Sequence, residues 1–389
     1  MMQRSKSTVE TLASPTLTSS ALTSPIPDSS PEPASPAASL LDWYDRSHRV
    51  LPWRITPPMA KAGKRPDPYH IWLSEVMLQQ TTVQAVKAYF AKFLTLWPTV
   101  ADLAAADTEE VMKAWAGLGY YARARNLKKC AEAVASQHGG RFPDTEEGLK
   151  ALPGIGDYTA AAIAAIAFNR QSAVLDGNVE RVISRLYRVE TPVPAARPEM
   201  RRLVAAMTPA DRPGDFAQAM MDLGSTICTP RRPVCALCPI NADCRAFKVG
   251  DPERFPVKLA KKAKPVRYGT AYVATDAAGA VYLSKRGDKG LLGGMTEVPG
   301  TDWTTDPSDT HVPPFAGKST TLWHDCGGIV HVFTHFELRL AVRHAEVERD
   351  AIIANGWWEP RETLAAQALP TVMRKAIEKA LPGCFAKTS

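Results

Sequence analysis

From Ser39 to Phe247 apolar side chains recur at three- and four-residue spacing, in stretches broken by Gly and Pro. That pattern predicts one helix after another. Examples are IWLSEVMLQQTTVQAVKAYFAKFLTLW, EEVMKAWAGLG, ARARNLKKCAEAVASQHGG and MRRLVAAMT, and no convincing alternating strand interrupts them. The pattern changes after FPVKLAKKAKPVR (residues 255–267), a basic stretch that reads as linker. YGTAYVATDAAGAVYLSKR then reads as two strands about a turn, and IVHVFTHFELRLAV alternates for several residues. ETLAAQAL and TVMRKAIEKAL read as closing helices. Residues 1–38 are dense in Ser, Thr, Pro and Ala. With so few large apolar side chains they cannot offset the entropy of ordering, and they read as a disordered tail. The expected plan is multidomain: the tail 1–38, an all-α domain over 39–247, a linker over 248–266 and a smaller α+β domain over 267–385.

Composition refines this picture without redrawing it. With 389 residues, 45% hydrophobic and 22% charged, the chain has material for two or three domains with real cores. A net charge of +7 favours a polyanionic partner. No apolar run of membrane-spanning length survives interruption by charge, Gly or Pro, so no membrane partner is expected. The start, MMQRSKSTVETLASPTLTSS, lacks the apolar stretch of a secretory signal. The expected location is the cytoplasm or nucleoid of a prokaryote, or the nucleus or mitochondrion of a eukaryote. Seven cysteines, an odd number, argue against a secreted disulfide scaffold.

Four of those cysteines stand together. Cys228, Cys235, Cys238 and Cys244 form C-x6-C-x2-C-x5-C inside CTPRRPVCALCPINADC. Four thiolates on one short loop can wrap a tetrahedral zinc or a cubane iron–sulfur cluster. Zinc knuckles usually show two close pairs across a longer spacer, whereas here there is one close pair, so a [4Fe–4S] cluster suits the spacing better. The spacing resembles that of the endonuclease III family of DNA repair glycosylases. The resemblance implies phosphate contacts for Arg231 and Arg232 in the same loop.

Upstream, LPGIGDYTAAA resembles the hairpin of a helix-hairpin-helix element. Gly154 and Gly156 would admit the sharp turn and a close ligand approach, and the following helix would aim free N–H groups at a DNA phosphate. The apolar run TAAAIAAIAF is then a core helix.

WLSEVMLQQT closely resembles the segment that carries the catalytic glutamate in adenine DNA glycosylases of the MutY type. Glu75, flanked by Leu73, Val76, Met77 and Leu78, should keep a proton through a raised pKa, and the resemblance implies that it protonates adenine N7. Asp176, in LDGNV, stands where the family has its sugar-facing aspartate. It would stabilise the oxocarbenium-like state or capture it transiently, with Asn178 holding neighbouring backbone or a phosphate. Bifunctional members carry a lysine two residues after the second hairpin glycine. Here that residue is Tyr158, which cannot form an imine and could instead hydrogen-bond in the active site. Glu180 stands where some MutY-type enzymes have a second lysine.

Further segments follow the same resemblance. LPWR would line the base pocket with Trp53 and Arg54, and Leu78, Gln79 and Gln80 would face the substrate, one glutamine filling the space of the extruded base. GLGYYARARNL offers Tyr120 as a wedge, with Arg123 and Arg125 near the strand, and FAQAMMDLG offers Gln218 to the adenine edge. LLGGMTEVPG (291–300) resembles a segment of the Nudix fold, without the metal-binding box, so nucleotide hydrolysis is not expected. Phe333, Thr334 and His335 match the family's Phe-Ser-His reading triplet with Thr for Ser. On a regular strand Thr334 would face away from the other two, so all three meet DNA only if the chain bends there.

The whole implies an all-α helix-hairpin-helix glycosylase domain with an iron–sulfur loop (228–244) and a C-terminal α+β Nudix-like domain. The expected activity is monofunctional removal of adenine opposite 8-oxoguanine or guanine in double-stranded DNA, by a monomer. A bifunctional pyrimidine-lesion glycosylase and a non-catalytic mismatch-binding protein are the alternatives.

Overall fold

Local capping explains where the helices begin. In the computed structural model, which describes residues 35–259, 263–287, 290–307, 322–349 and 356–385, Ser35 accepts from the Ala38 N–H and starts the helix Pro36–Ser47. Residues 36–38, read as tail, are therefore helical; the tail proper, 1–34, lies outside the described residues. Asp67, Thr82, Thr99, Asp107 and Thr145 cap the helices Pro68–Leu78, Val83–Leu96, Val100–Ala105, Thr108–Trp115 and Glu146–Lys150 in the same way. Helix Asp157–Phe168 is the centre of this part. Its residues from Thr159 to Ile166 are all buried, with Pro68–Leu78 and Pro213–Thr226 packed on it. Gly214 permits that packing, since a Cβ there would lie 2.6 Å from the Ala165 carbonyl oxygen.

The segment read as linker carries more structure than expected. Helix Arg245–Val249 runs past residue 247, Pro252–Arg254 makes a 3-10 turn, and Lys258 bridges to Val193. Then come β1 (Val266–Thr275), β2 (Val281–Lys285), β3 (Thr296–Glu297), β4 (His324–Val332), β5 (Glu337–Glu346) and β6 (Gly356–Glu359). They form one mixed sheet in the order β3-β2-β1-β5-β4, with β6 on β2. β1 and β5 are parallel, from Val266 opposite Glu337 to Thr275 opposite Glu346. Alternate residues of these strands, among them Ala271, Val273, Leu338, Leu340 and Val342, pack under helix Thr371–Ala380.

The alternating stretch IVHVFTHFELRLAV is two antiparallel strands, not one. It bends at Thr334 and His335, where the Phe333 N–H donates to the Phe336 carbonyl. The described residues from Ser35 onward form one compact unit. Arg125 donates to the Gly293 carbonyl, and the Tyr120 and Thr334 hydroxyls lie 3.3 Å apart. No helix among the described residues is long and apolar enough to cross a membrane.

Candidate active site

Five parts of the helical region surround a cavity of about 430 Å³. Glu75 comes from the middle of Pro68–Leu78, Tyr158 from the first turn of Asp157–Phe168, and Asp176 and Asn178 from the start of Gly177–Tyr187. Gln218 comes from Pro213–Thr226, and Trp53 and Arg54 from the loop after the first helix. Leu78, Gln79 and Gln80 form the rim beyond Glu75. Ten side chains singled out in the sequence thus meet at one place. A second cavity of about 570 Å³ shares Ile166 and Gln218 with it, and its titratable lining residues include Lys61, Lys64 and Arg65.

The two acids sit in different settings. Glu75 is 6% exposed, and its Oε2 accepts the Tyr158 hydroxyl at 2.6 Å. Burial pushes its pKa above the ordinary value; the Tyr158 hydrogen bond opposes this, the charge of Asp176 adds to it, and Arg54 opposes it. Asp176 is the N-cap of its helix. Its Oδ1 accepts from the Asn178 and Val179 backbone N–H groups at 2.9 and 2.7 Å, and its Oδ2 from the Asn178 amide at 2.9 Å. Burial raises this carboxyl too, against those three donors. Three N–H groups and a helix N-terminus favour the anion at Asp176, whereas one hydroxyl does so at Glu75. Asn178 holds Asp176 itself, so its amide nitrogen is committed within the turn. Arg181 in turn donates to the Asn178 Oδ1 at 2.9 Å and to the Cys228 carbonyl at 2.7 Å.

Several supporting residues were not marked in the sequence. Asp222, fully buried, accepts from Arg54 at 2.8 Å and from the Arg49 side chain at 2.5 Å. Stripping one partner from such a buried pair costs about 3–5 kcal/mol, so Arg54 is fixed in place. Gly224 lets helix Pro213–Thr226 approach the Asp176 turn; a Cβ there would lie 2.6 Å from the Asn178 Cβ. Trp53 packs its ring edge-on against Phe90, and Gln218 donates only a long bond, 3.4 Å, to the Gly214 carbonyl.

The remaining expected residues lie outside the cavity. Gly154 has φ +75, and a Cβ would also strike Asn126, so the turn needs glycine; Gly156 has ordinary angles and open space beside it, at the uncapped start of Asp157–Phe168. At the cavity rim, Gln79 donates to the Thr159 hydroxyl at 3.1 Å. Tyr120 is half exposed, and Thr334 and His335 are exposed at the hairpin tip. Phe333 is held in an aromatic group, stacked on Phe336 and beside Trp303 and His331. Arg123, expected near the strand, turns inward to backbone carbonyls, and Arg125 is engaged by Gly293. Glu180 pairs with Arg197.

The four loop cysteines are part-buried and free of disulfides. Burial pushes the Cys238 thiol up to about 12, and Cys228, Cys244 and Cys235 add smaller upward contributions. Arg185 donates to the Cys228 sulfur at 3.3 Å. Among the described residues no three His, Cys, Asp or Glu side chains are spaced to hold a metal ion. Four unpaired, part-buried thiols on one loop are nevertheless a donor set whose chemistry fits thiolate ligation of a metal or cluster.

Two family models match the chain: the HhH-GPD superfamily base excision DNA repair protein over residues 73–206 and the NUDIX domain over residues 270–379. The adenine DNA glycosylase of Mus musculus is 33% identical over 87% of this chain and 76% of its own length. The chain belongs to the adenine DNA glycosylase family. The human member is 34% identical over 87% of this chain and 72% of its own, and a Mycobacterium tuberculosis member 37% identical over 61% and 73%. Among solved structures, a thermostable thymine-DNA glycosylase aligns with a TM-score of 0.49 and 29% identity, over 55% of this chain and 95% of that one. Both family matches fit the observed order, helices first and sheet second, and the cavity acids Glu75 and Asp176 fall inside the first match.

Proposed function

We propose that this adenine DNA glycosylase acts on adenine paired with 8-oxoguanine or guanine, as a monofunctional monomer that leaves an abasic site. Glu75, its proton retained through burial and the nearby Asp176 charge, protonates N7 of the extruded adenine as the C1′–N9 bond breaks. The bonding pair leaves with the base, and positive charge grows on the sugar. Asp176, its anion held by three N–H donors, faces that charge. Water adds to C1′ and gives up a proton. Tyr158 offers no amine for an imine, so the reaction ends at the abasic site.

The other roles follow from position. The Gly154–Gly156 turn takes a backbone phosphate at the open start of helix Asp157–Phe168. Trp53, Arg54, Leu78 and Gln218 hold the base, while Gln79, Gln80 and Tyr120 fill the gap in the stack. Phe333, Thr334 and His335 meet the opposite base. Cys228, Cys235, Cys238 and Cys244 hold a [4Fe–4S] cluster, which when bound cross-links the loop carrying Arg231 and Arg232. Hydrolysis of an N-glycosidic bond is redox-neutral and needs no electron from it.

The observation that carries this reading is the convergence of Glu75 and Asp176 on one cavity, near enough for one charge to bear on the other's proton. The test is adenine release from duplexes with adenine opposite 8-oxoguanine, guanine, cytosine or thymine. Release should be fast for the first two and absent for the A·T pair. Equal turnover on A·T overturns the substrate assignment, and high-yield borohydride trapping of an enzyme–DNA adduct would favour the bifunctional alternative.

A further inference from the structure

Two short turns, one of them on the cavity rim, adopt backbone angles that residues other than glycine rarely accept. Gln80 has φ 58 and Tyr120 has φ 48. Both are exposed, and neither conformation is stable on its own account, so something must hold the two turns. Arg123 contacts both. Its Nη1 donates to the Val76 and Met77 carbonyls at 2.8 and 3.1 Å, at the end of the Glu75 helix. Its Nη2 reaches the Thr81 hydroxyl at 3.2 Å, next to Gln80, and the Leu118 and Gly119 carbonyls at 3.1 and 3.3 Å, next to Tyr120. The guanidinium also lies 5.5 Å from the Tyr120 ring centre and 5.3 Å from that of Trp115.

We infer that Arg123 is a positioning residue that fastens the Gln80 and Tyr120 turns into one rigid wedge for extruding the target base. This rests on the proposed role of both turns at the extruded nucleotide. The choice of side chain supports it. Arg123 has no carboxylate partner among the described residues, and its Nε finds no hydrogen-bond partner there. Burial alone therefore weighs against its charge, and packing could be met by an apolar side chain. A planar fork with several donors is what joins carbonyls of two separate turns; a lysine, with one compact ammonium, cannot span them. Because Nη1 also terminates the Glu75 helix, the wedge and the general acid share one anchor. Extrusion and proton delivery are thereby placed in register.

The test separates extrusion from chemistry. In full-length enzyme carrying Glu75→Gln, binding a duplex with 2-aminopurine at the target position opposite guanine should raise its fluorescence as the base leaves the stack. Adding Arg123→Lys or Arg123→Met should cut that rise at least about threefold at saturating enzyme, with the fold retained at a lowered melting temperature. With Glu75 intact, the same variants should lower single-turnover adenine release about tenfold or more, and Arg123→Lys should not rescue. A full fluorescence rise in either variant, or wild-type behaviour of Arg123→Lys, overturns the inference. If the Arg123 variants do not fold, Thr81→Val removes one acceptor in the Gln80 turn. A partial loss of the rise is then expected, and an unchanged rise counts against the anchor. Failure of the wild type to release adenine from an A·G duplex would instead defeat the proposed function.

Discussion

The two oxygens of Glu75 have different surroundings, and the chemistry turns on that difference. Oε2 accepts the Tyr158 hydroxyl, which leaves Oε1 to carry the proton. The hydrogen bond favours the ionised form and so lowers a pKa that burial has raised. On the proposed mechanism adenine release needs Glu75 protonated, so its rate should be full below the Glu75 pKa and fall as pH rises through it. Tyr158→Phe removes the opposing contribution, and the basic limb of the single-turnover pH profile should move to higher pH. A downward move would mean that Tyr158 acts otherwise. The same mechanism requires Asp176 ionised, so the rate should also fall on the acid side, at a pH above the usual aspartate range because burial raises this carboxyl as well. Glu75→Gln should cost about 10²–10⁴-fold at pH values below the basic limb, and the limb itself should disappear. A persisting basic limb in that variant would assign the limb to another group.

Between the acids lies a packing problem solved by elements rather than residues. Helix Pro213–Thr226 runs past the Asp176 turn at a distance only Gly224 allows. Gly224→Ala would put a methyl 2.6 Å from the Asn178 Cβ and 3.0 Å from its carbonyl oxygen, displacing the amide that donates to Asp176. We expect about a tenfold slower single-turnover release with a modest loss of melting temperature; an unchanged rate would show that the turn accommodates the methyl without moving Asp176. Such a contact is hard to read from a chain. Helices were legible because periodicity and caps are local, and Glu75 and Asp176 because their segments resemble a family. Asp222 was not: its partners Arg54 and Arg49 stand 168 and 173 residues away, and nothing local distinguishes it from a surface acid. Arg123 reads as a residue near the strand because its segment resembles the family's wedge turn, and only the folded chain brings five backbone and hydroxyl oxygens to it. The hairpin at Thr334 was hidden differently. VFTHFE contains none of the Gly, Pro, Asn or Asp residues that announce a turn, so the alternation ran on through it.

At the scale of the molecule, the wedge and the hairpin tip touch. Tyr120, in the helical part, shares a hydroxyl contact with Thr334, in the sheet-bearing part. In the proposed roles, the residue that enters the stack and the residue that meets the opposite base are thus in contact before DNA arrives. Thr334 is exposed and its hydroxyl can either donate or accept, so it can exchange Tyr120 for an atom of the opposite base. Thr334→Ala removes that option and keeps the backbone. Loss of one such hydrogen bond is worth about 0.5–1.5 kcal/mol, roughly two- to tenfold. Release opposite 8-oxoguanine should fall by about that factor, while release opposite guanine should change less, so the ratio of the two rates narrows. Thr334→Ser, which keeps the hydroxyl, should restore the ratio. Equal losses on both duplexes would place Thr334 in general docking, and Tyr120→Phe would then show whether the contact between the two parts, rather than the opposite base, is what the threonine serves.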